Sequence, residues 1–364
     1  MKKLIVFNPG GAFVRYTVFN ANDATTLDRN AALEEIWSGR FRVTGGSISH
    51  LDLDKLLQRY SPHMLAIRVL YGGDQFNEIE LLDDSIIERL KRLTPESPLN
   101  IPVVIRLLNM TKRIVPAPDV MLFFETAFFN RLPARERTYA IDYSTNEIFG
   151  GEIGELRRYG YHGLYHRAAL AKVLRSSDNA RRVLSICLEP HPEVVGLYDG
   201  KPITVSGGAT PAEGLPGNTN SGEVDPGLIL FLEEKKGWGP ERINELLTRE
   251  GGMKALTGES VTVGEVLGDN PAFESARRVL EYRILLSCGS AIGASNGVDA
   301  IVFSGRYASN AEALSTLLVS RLRKASAYPH KIDVFFLKDN IEQLIAQRAL
   351  RWGEYVNHET PWNY

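Results

Sequence analysis

Cysteine is scarce: Cys187 and Cys288 are the only two in 364 residues, and each sits inside an apolar stretch. That leaves no material for a disulfide framework or a thiolate metal cluster, and it fits buried thiols in a reducing compartment. No uninterrupted apolar run approaches the roughly 20 residues that a membrane-crossing helix needs. No secretory leader opens the chain, because Lys2-Lys3 is followed by only four apolar residues before Asn8-Pro9-Gly10-Gly11. A cytoplasmic location is expected. Charge of one sign is not in excess either. The 42 Lys and Arg against 44 Asp and Glu leave a net charge of -2, which gives no general attraction to nucleic acid or to an anionic membrane. What remains is an ordinary globular composition, 44% hydrophobic and 24% charged, in a chain long for a single core.

Residues 4–7 form a short continuous apolar run, the pattern of a buried strand, and the turn-forming cluster Asn8-Pro9-Gly10-Gly11 ends it. Strand-favouring residues resume over 13–19, so a hairpin is expected. Strands follow at 64–70 and 120–125, and helices at 83–93 and 103–112. A second cycle starts with strands at 183–188 and 193–198. Asp199-Gly200 is a hairpin turn before another strand at 202–205. Helices are expected at 225–234, 240–250, 271–290, 310–324 and 341–351, with strands at 299–304 and 332–336. The order of strand, glycine turn, strand, then alternating strands and helices therefore occurs twice. Two α/β domains separated by a cleft are the simplest architecture: 1–156, completed by a C-terminal helix at 339–364, and 157–338.

Between the two cycles lies Arg157-Arg158-Tyr159-Gly160-Tyr161-His162-Gly163-Leu164-Tyr165-His166, just before a helical run. A glycine-flanked histidine at a helix N-terminus can approach a phosphate closely, where amides are free and the dipole is positive. The same segment also fits a capping loop around a buried histidine. Arg68, central in an apolar strand, needs a partner for its charge, which favours a site.

Taken in order, these pieces resemble the acetate and butyrate kinase family. Asn8-Pro9-Gly10-Gly11-Ala12-Phe13-Val14-Arg15 is similar to its first hairpin, Asn-x-Gly-Ser-Ser-Ser-x-Lys. Arg68-Val69-Leu70-Tyr71-Gly72-Gly73-Asp74 resembles Arg-x-x-His-Gly-Gly-Glu, and Pro98-Leu99-Asn100 its Pro-Leu-His loop. Phe124-Glu125-Thr126-Ala127-Phe128 resembles Phe-Asp-Thr-Ala-Phe, and Arg158-Tyr159-Gly160-Tyr161-His162-Gly163 resembles Arg-Tyr-Gly-Phe-His-Gly. Thr210-Pro211-Ala212-Glu213-Gly214 and Thr219-Asn220-Ser221-Gly222-Glu223-Val224-Asp225-Pro226 resemble Thr-Pro-Leu-Glu-Gly and Thr-Arg-Ser-Gly-Asp-x-Asp-Pro.

The resemblance implies two ribonuclease-H-like domains of the actin-like ATPase fold with an interdomain cleft. It implies phosphoryl transfer between ATP and a small carboxylic acid, with magnesium, in a homodimer formed through the second domain. Residues 279–293 are a candidate interface, or equally a buried core helix. Carried over residue by residue, Arg68, Glu125 and His162 would be catalytic. Asn8, Gly10, Arg15, Gly72, Gly73 and Asn220 would hold substrate or phosphate; Gly207, Gly208, Asp225, Gly305 and Arg306 would hold nucleotide; Asn8 would also contact the metal.

The departures sit in the same motifs. Glu125 stands for aspartate, Asn220 for an arginine, and Ser309 for a magnesium-associated glutamate. The glycine loop His-Leu-Gly-Asn-Gly becomes Cys187-Leu188-Glu189-Pro190-His191, which adds a negative charge and removes an amide donor. Arg306 is an added cation that can offset part of the loss. A catalytically inactive homologue that binds a ligand or docks a partner is therefore the alternative.

Overall fold

The computed structural model describes residues 2–10, 12–21, 33–97, 100–112, 118–142, 156–177, 179–326 and 331–355. Gly11, Pro98 and Leu99 of the motifs above, the stretch 143–155 at the expected domain boundary, and 356–364 lie outside them. The chain divides into two compact units: Met1–Asn130 with Ile141–Glu155 and Asp339–Tyr364, and Arg131–Ala140 with Leu156–Lys338.

The first unit is built on six strands: β1 (Lys2–Pro9), β2 (Phe13–Ala21), β3 (Leu33–Arg42), β4 (Met64–Val69), β5 (Ile79–Leu81) and β6 (Asp119–Phe124). They lie in the order β3-β2-β1-β4-β6-β5. β1 pairs antiparallel with β2 and parallel with β4, and β4 parallel with β6. Leu4, Ile5, Val6 and Phe7 are buried on both faces, which is why β1 reads as an unbroken apolar run. The strand does not stop at Phe7. The ladder continues through Asn8↔Arg15 and Pro9↔Val14, and Gly10 donates its amide to the Phe13 carbonyl at 2.8 Å. Asn8 and Arg15 are therefore strand residues facing each other, not members of the turn. β3 gave no sequence signal because it is an edge strand of charged and half-exposed residues.

Helices α1 (His50–Tyr60), α2 (Asp84–Arg92) and α3 (Ile101–Thr111) complete this unit together with the last helix, Ile341–Tyr355. Asp83 caps α2 by accepting the amides of Ser85 and Ile86, and Arg89, Lys91 and Arg92 occupy its final turn, where cations suit the dipole. The last helix buries Ile341, Leu344, Ile345, Ala346 and Ala349, and packs on β1, β2 and β4.

The second unit repeats the plan with five strands, β7 (Arg182–Cys187), β8 (Glu193–Tyr198), β9 (Lys201–Val205), β10 (Ala300–Ser304) and β11 (Asp333–Phe336). Their order is β11-β10-β7-β8-β9. The Asp199-Gly200 turn has both residues left-handed, φ 47° and 73°, the backbone that a two-residue hairpin requires. Around the sheet lie α4 (Gly163–Ser176), α5 (Pro226–Lys236), α6 (Pro240–Arg249), α7 (Glu274–Ser295) and α8 (Glu312–Ser326). α7 runs from 274 to 295 instead of 271 to 290. Pro271 begins a separate 3-10 turn capped by Asn270, and the helix stops only where Asn296 turns left-handed at φ 55°.

Candidate active site

The parallel strands β1, β4 and β6 bring their carboxyl ends together, the edge of an open α/β sheet where ligands bind. Arg68 sits there at 6% exposure, and its charge has to be matched. Its Nε and Nη2 both donate to Glu125 Oε1 at 2.5 Å. Glu125 is the first residue beyond β6, is 0% exposed, and is held by its own amide on the Val69 carbonyl at 3.0 Å. Arg68 Nη1 donates to Asn8 Oδ1 at 3.3 Å, and Asn8 Nδ2 donates to Glu342 Oε1 at 2.6 Å. Arg15 Nε reaches that same oxygen at 3.3 Å. The cluster thus holds two cations and two carboxylates, drawn from three strands and the last helix.

Gly72 and Gly73 adjoin the cluster. The Gly72 amide donates to Thr126 Oγ1 at 2.9 Å, and a Cβ at position 72 would fall 2.5 Å from the Phe124 ring. The packing of Phe124 leaves no room for a side chain at position 72. Glu342 escaped the sequence reading. It is one acid in the first turn of an ordinary amphipathic helix, and nothing local marks it as the partner of a residue 334 positions away.

Magnesium takes one or two carboxylates plus substrate phosphates instead of an all-protein cage. Among the described residues no group of three or more His, Cys, Asp and Glu could hold a metal alone. Glu125, Glu342 and the Asn8 carboxamide, each engaged with an arginine or with one another, are the oxygen donors that would join phosphate oxygens around it. Ser309, the position expected to carry the metal-associated acid, is exposed on a 3-10 turn, Ala308–Asn310. The acid near Asn8 is Glu342 instead.

In the second unit His162 is the N-cap of α4 and is 8% exposed. Its Nε2 lies 2.8 Å from the His191 carbonyl, to which it can only donate, and its Nδ1 is buried with no partner. The turn before α4 is held by Glu193, 3% exposed, the first residue of β8. Glu193 accepts the amides of Tyr161 and His162 at 2.9 and 3.2 Å, and His166 Nε2 at 3.0 Å. His166 Nδ1 contacts Ser185 Oγ at 2.8 Å. Burial pushes the Glu193 carboxyl up, but His166 and the Tyr161 amide outweigh it and hold the group below the usual carboxylate range. A Cβ on Gly207 would lie 2.8 Å from the Tyr159 carbonyl and 2.9 Å from Glu193 Oε2, so the backbone before α4 and this carboxylate together leave no room for a side chain there.

The other expected nucleotide contacts are committed locally. Gly208 has no room for a Cβ beside Glu213, whose carboxylate pairs with Arg158 at 2.7 Å and takes a bond from Tyr139. Asp225 caps exposed α5 through the Gly227 amide at 2.8 Å. Asn220, 1% exposed, donates to the Leu215 carbonyl at 3.2 Å inside its own loop. Gly305, left-handed at φ 87°, lets β10 lie against Leu188. Arg306 is paired with Glu189 through Nη2 at 2.9 Å. The added charge of the glycine loop is therefore paired with a cation of the same unit.

Two α/β units, each a three-strand antiparallel meander extended by parallel strands, make up an actin-like two-domain fold. The profile of the acetokinase family matches residues 48–336, and the chain belongs to that family. It is 30% identical to an acetate kinase of Thermosipho africanus over 251 residues, 67% of this chain and 61% of that one; it thus spans under two thirds of that relative's length. An acetate kinase of Dictyoglomus thermophilum is 25% identical over 96% of this chain and 98% of its own. In fold, the chain matches a propionate kinase of Francisella tularensis with a TM-score of 0.80 at 22% identity, covering 95% of this chain and 98% of that one.

Proposed function

We propose that the chain transfers a phosphoryl group between ATP and the carboxylate of a small organic acid, forming an acyl phosphate and ADP. The observation that carries this reading is the buried Arg68–Glu125–Asn8–Glu342 cluster at the strand ends of the first unit. At neutral pH the acid is already a carboxylate, so no general base is required. Its oxygen attacks the terminal phosphorus, the bond from phosphorus to the bridging oxygen breaks, and ADP leaves with the electron pair. Two anions have to meet, so positive charge and positioning supply most of the rate. Arg68, held planar by Glu125 and Asn8, orients the acid by its forked guanidinium. His162, with Nε2 donating to the His191 carbonyl, would hold a phosphoryl oxygen through Nδ1–H in its doubly protonated form, in which both ring nitrogens donate. Magnesium, held by Glu342, Glu125 and Asn8, would supply charge neutralisation of the nucleotide phosphates.

The test is incubation with ATP, magnesium and a panel of short organic acids, with hydroxylamine present to trap acyl phosphate as hydroxamate. Hydroxamate is expected with at least one acid. No trapped product and no acid-dependent ADP release from folded protein overturns the reading and turns attention to the non-catalytic alternative.

We also infer that a second copy covers the apolar surface of the second unit. α5 exposes Leu228, Leu230 and Phe231 and buries nothing, and α7 exposes Val279, Tyr282 and Leu286. Large apolar side chains in that number on two helices mark an interaction surface. Analytical ultracentrifugation at micromolar concentration is expected to give twice the chain's mass, and Leu230→Glu with Tyr282→Glu to shift it to one chain. A monomeric wild type removes the idea.

A further inference from the structure

The added carboxylate of the glycine loop and the added cation Arg306 meet in the fold. Glu189 lies just beyond β7 and Arg306 just beyond β10, on neighbouring parallel strands. Glu189 is 4% exposed, and four donors converge on it. Its Oε1 accepts the Arg306 amide at 2.8 Å and the Tyr165 hydroxyl at 3.2 Å, and its Oε2 accepts Arg306 Nε at 3.0 Å and Nη2 at 2.9 Å. A main-chain N–H, a two-pronged guanidinium and a phenol on one pair of oxygens make the donor set with which proteins hold phosphate or carboxylate ligands. Here the occupant is the chain's own side chain.

The surroundings are also those of an anion site. His162 Nδ1 and His191 Nδ1 are both buried and without a hydrogen-bond partner, as are Ser304 Oγ and Asn220 Oδ1 in the same unit. The His162 ring is oriented by its Nε2 bond to His191, so its unpartnered nitrogen is fixed and not free to turn away. Burial pushes the Glu189 carboxyl up, but Arg306 and His162 prevail and hold it below its ordinary range, so it is anionic at neutral pH. The Arg306 side chain is 38% exposed, so one side of the guanidinium faces solvent and can be reached from outside.

We propose that Glu189 is a resident counter-anion that fills the oxyanion cradle of Arg306 and Tyr165, and that it weakens, without abolishing, the hold of the second unit on polyphosphates, ATP among them. A ligand that brings several phosphate charges to Arg306 must share it with a carboxylate already in contact, whereas a singly charged or neutral group meets little repulsion. Only the identity of the physiological ligand rests on the acyl kinase reading; the cradle and its occupant do not depend on it.

The experiment is calorimetric titration of the full chain with inorganic tripolyphosphate and with ATP, for wild type, Glu189→Gln and Glu189→Gln/Arg306→Gln, with thermal melts to show that each is folded. Glutamine keeps an acceptor for the Arg306 amide and removes the charge. Glu189→Gly serves the same purpose where glutamine disturbs the loop. Removing one like charge at contact distance predicts that Glu189→Gln binds tripolyphosphate at least about tenfold more tightly than wild type. The double variant is expected to return to wild-type affinity or below. Equal or weaker binding by folded Glu189→Gln and Glu189→Gly overturns the proposal, as does a gain that survives removal of the Arg306 charge. Either result can occur with hydroxamate formation intact, so failure here is distinct from failure of the kinase reading.

Discussion

Replacing Arg68 by alanine is expected to lower kcat/KM for acyl phosphate formation by roughly a thousandfold, the loss of a charged group that meets the developing transition-state charge. The fold should suffer too. Glu125 is 0% exposed, and without Arg68 its carboxylate stays buried without that cation, a change that typically costs about 3–5 kcal/mol. Arg68→Lys separates the two effects. It keeps the charge beside Glu125, so the melting temperature should move little. An ammonium cannot reproduce the planar fork that reaches Glu125 and Asn8 together, so activity should still fall by about a hundredfold. Steady-state kinetics alongside thermal melts decide the matter. Wild-type kcat/KM in Arg68→Lys would mean that Arg68 serves the fold alone.

Glu193→Ala is expected to be among the most destabilising single changes in the second unit, by about 3–5 kcal/mol in urea denaturation. The alanine leaves the amides of Tyr161 and His162 and the Nε2 of His166 buried without their acceptor. Because those amides shape the turn carrying His162, activity should fall in the protein that remains folded. The acid limb of stability carries a second signature. The folded carboxyl lies below its unfolded value of 4.5, so its stabilisation is complete above that value and is lost as the pH falls through the folded pKa. Glu193→Gln, which does not titrate, should therefore narrow its stability gap to wild type as the pH drops below 4.5. A gap that stays constant between pH 7 and pH 3 would show that the Glu193 charge contributes nothing.

Much of this architecture is readable before any coordinates, because β1, β4, β6, β7 and β10 are buried on both faces and announce themselves as short apolar runs. β3 and α1 do not, since each shows solvent a polar face and carries no such run. Arg68 and Glu125 stand out because a charge inside an apolar strand end demands an explanation. Glu193 looks like any strand residue until His166 and the α4 turn are seen above it. Gly207 and Gly208 look like phosphate-loop glycines, and only the fold shows that the Tyr159 carbonyl and Glu193 crowd the first and Glu213 the second. The Glu189–Arg306 pair joins residues 117 apart, so the added cation could be read as offsetting lost charge but not as the direct partner of Glu189.

The first unit begins the chain and also contains its last helix, whereas the second unit is almost wholly drawn from Leu156–Lys338. During synthesis, then, the unit that starts first is completed last. Until Ile341 and the residues after it leave the ribosome, the β1, β2 and β4 surface that they cover stays bare, and Asn8 and Arg15 lack Glu342. The second unit has its whole sheet by Phe336 and can fold while the first still waits for its closing helix. A nascent or truncated chain stopped near residue 338 should therefore carry one finished unit and one unfinished, aggregation-prone one.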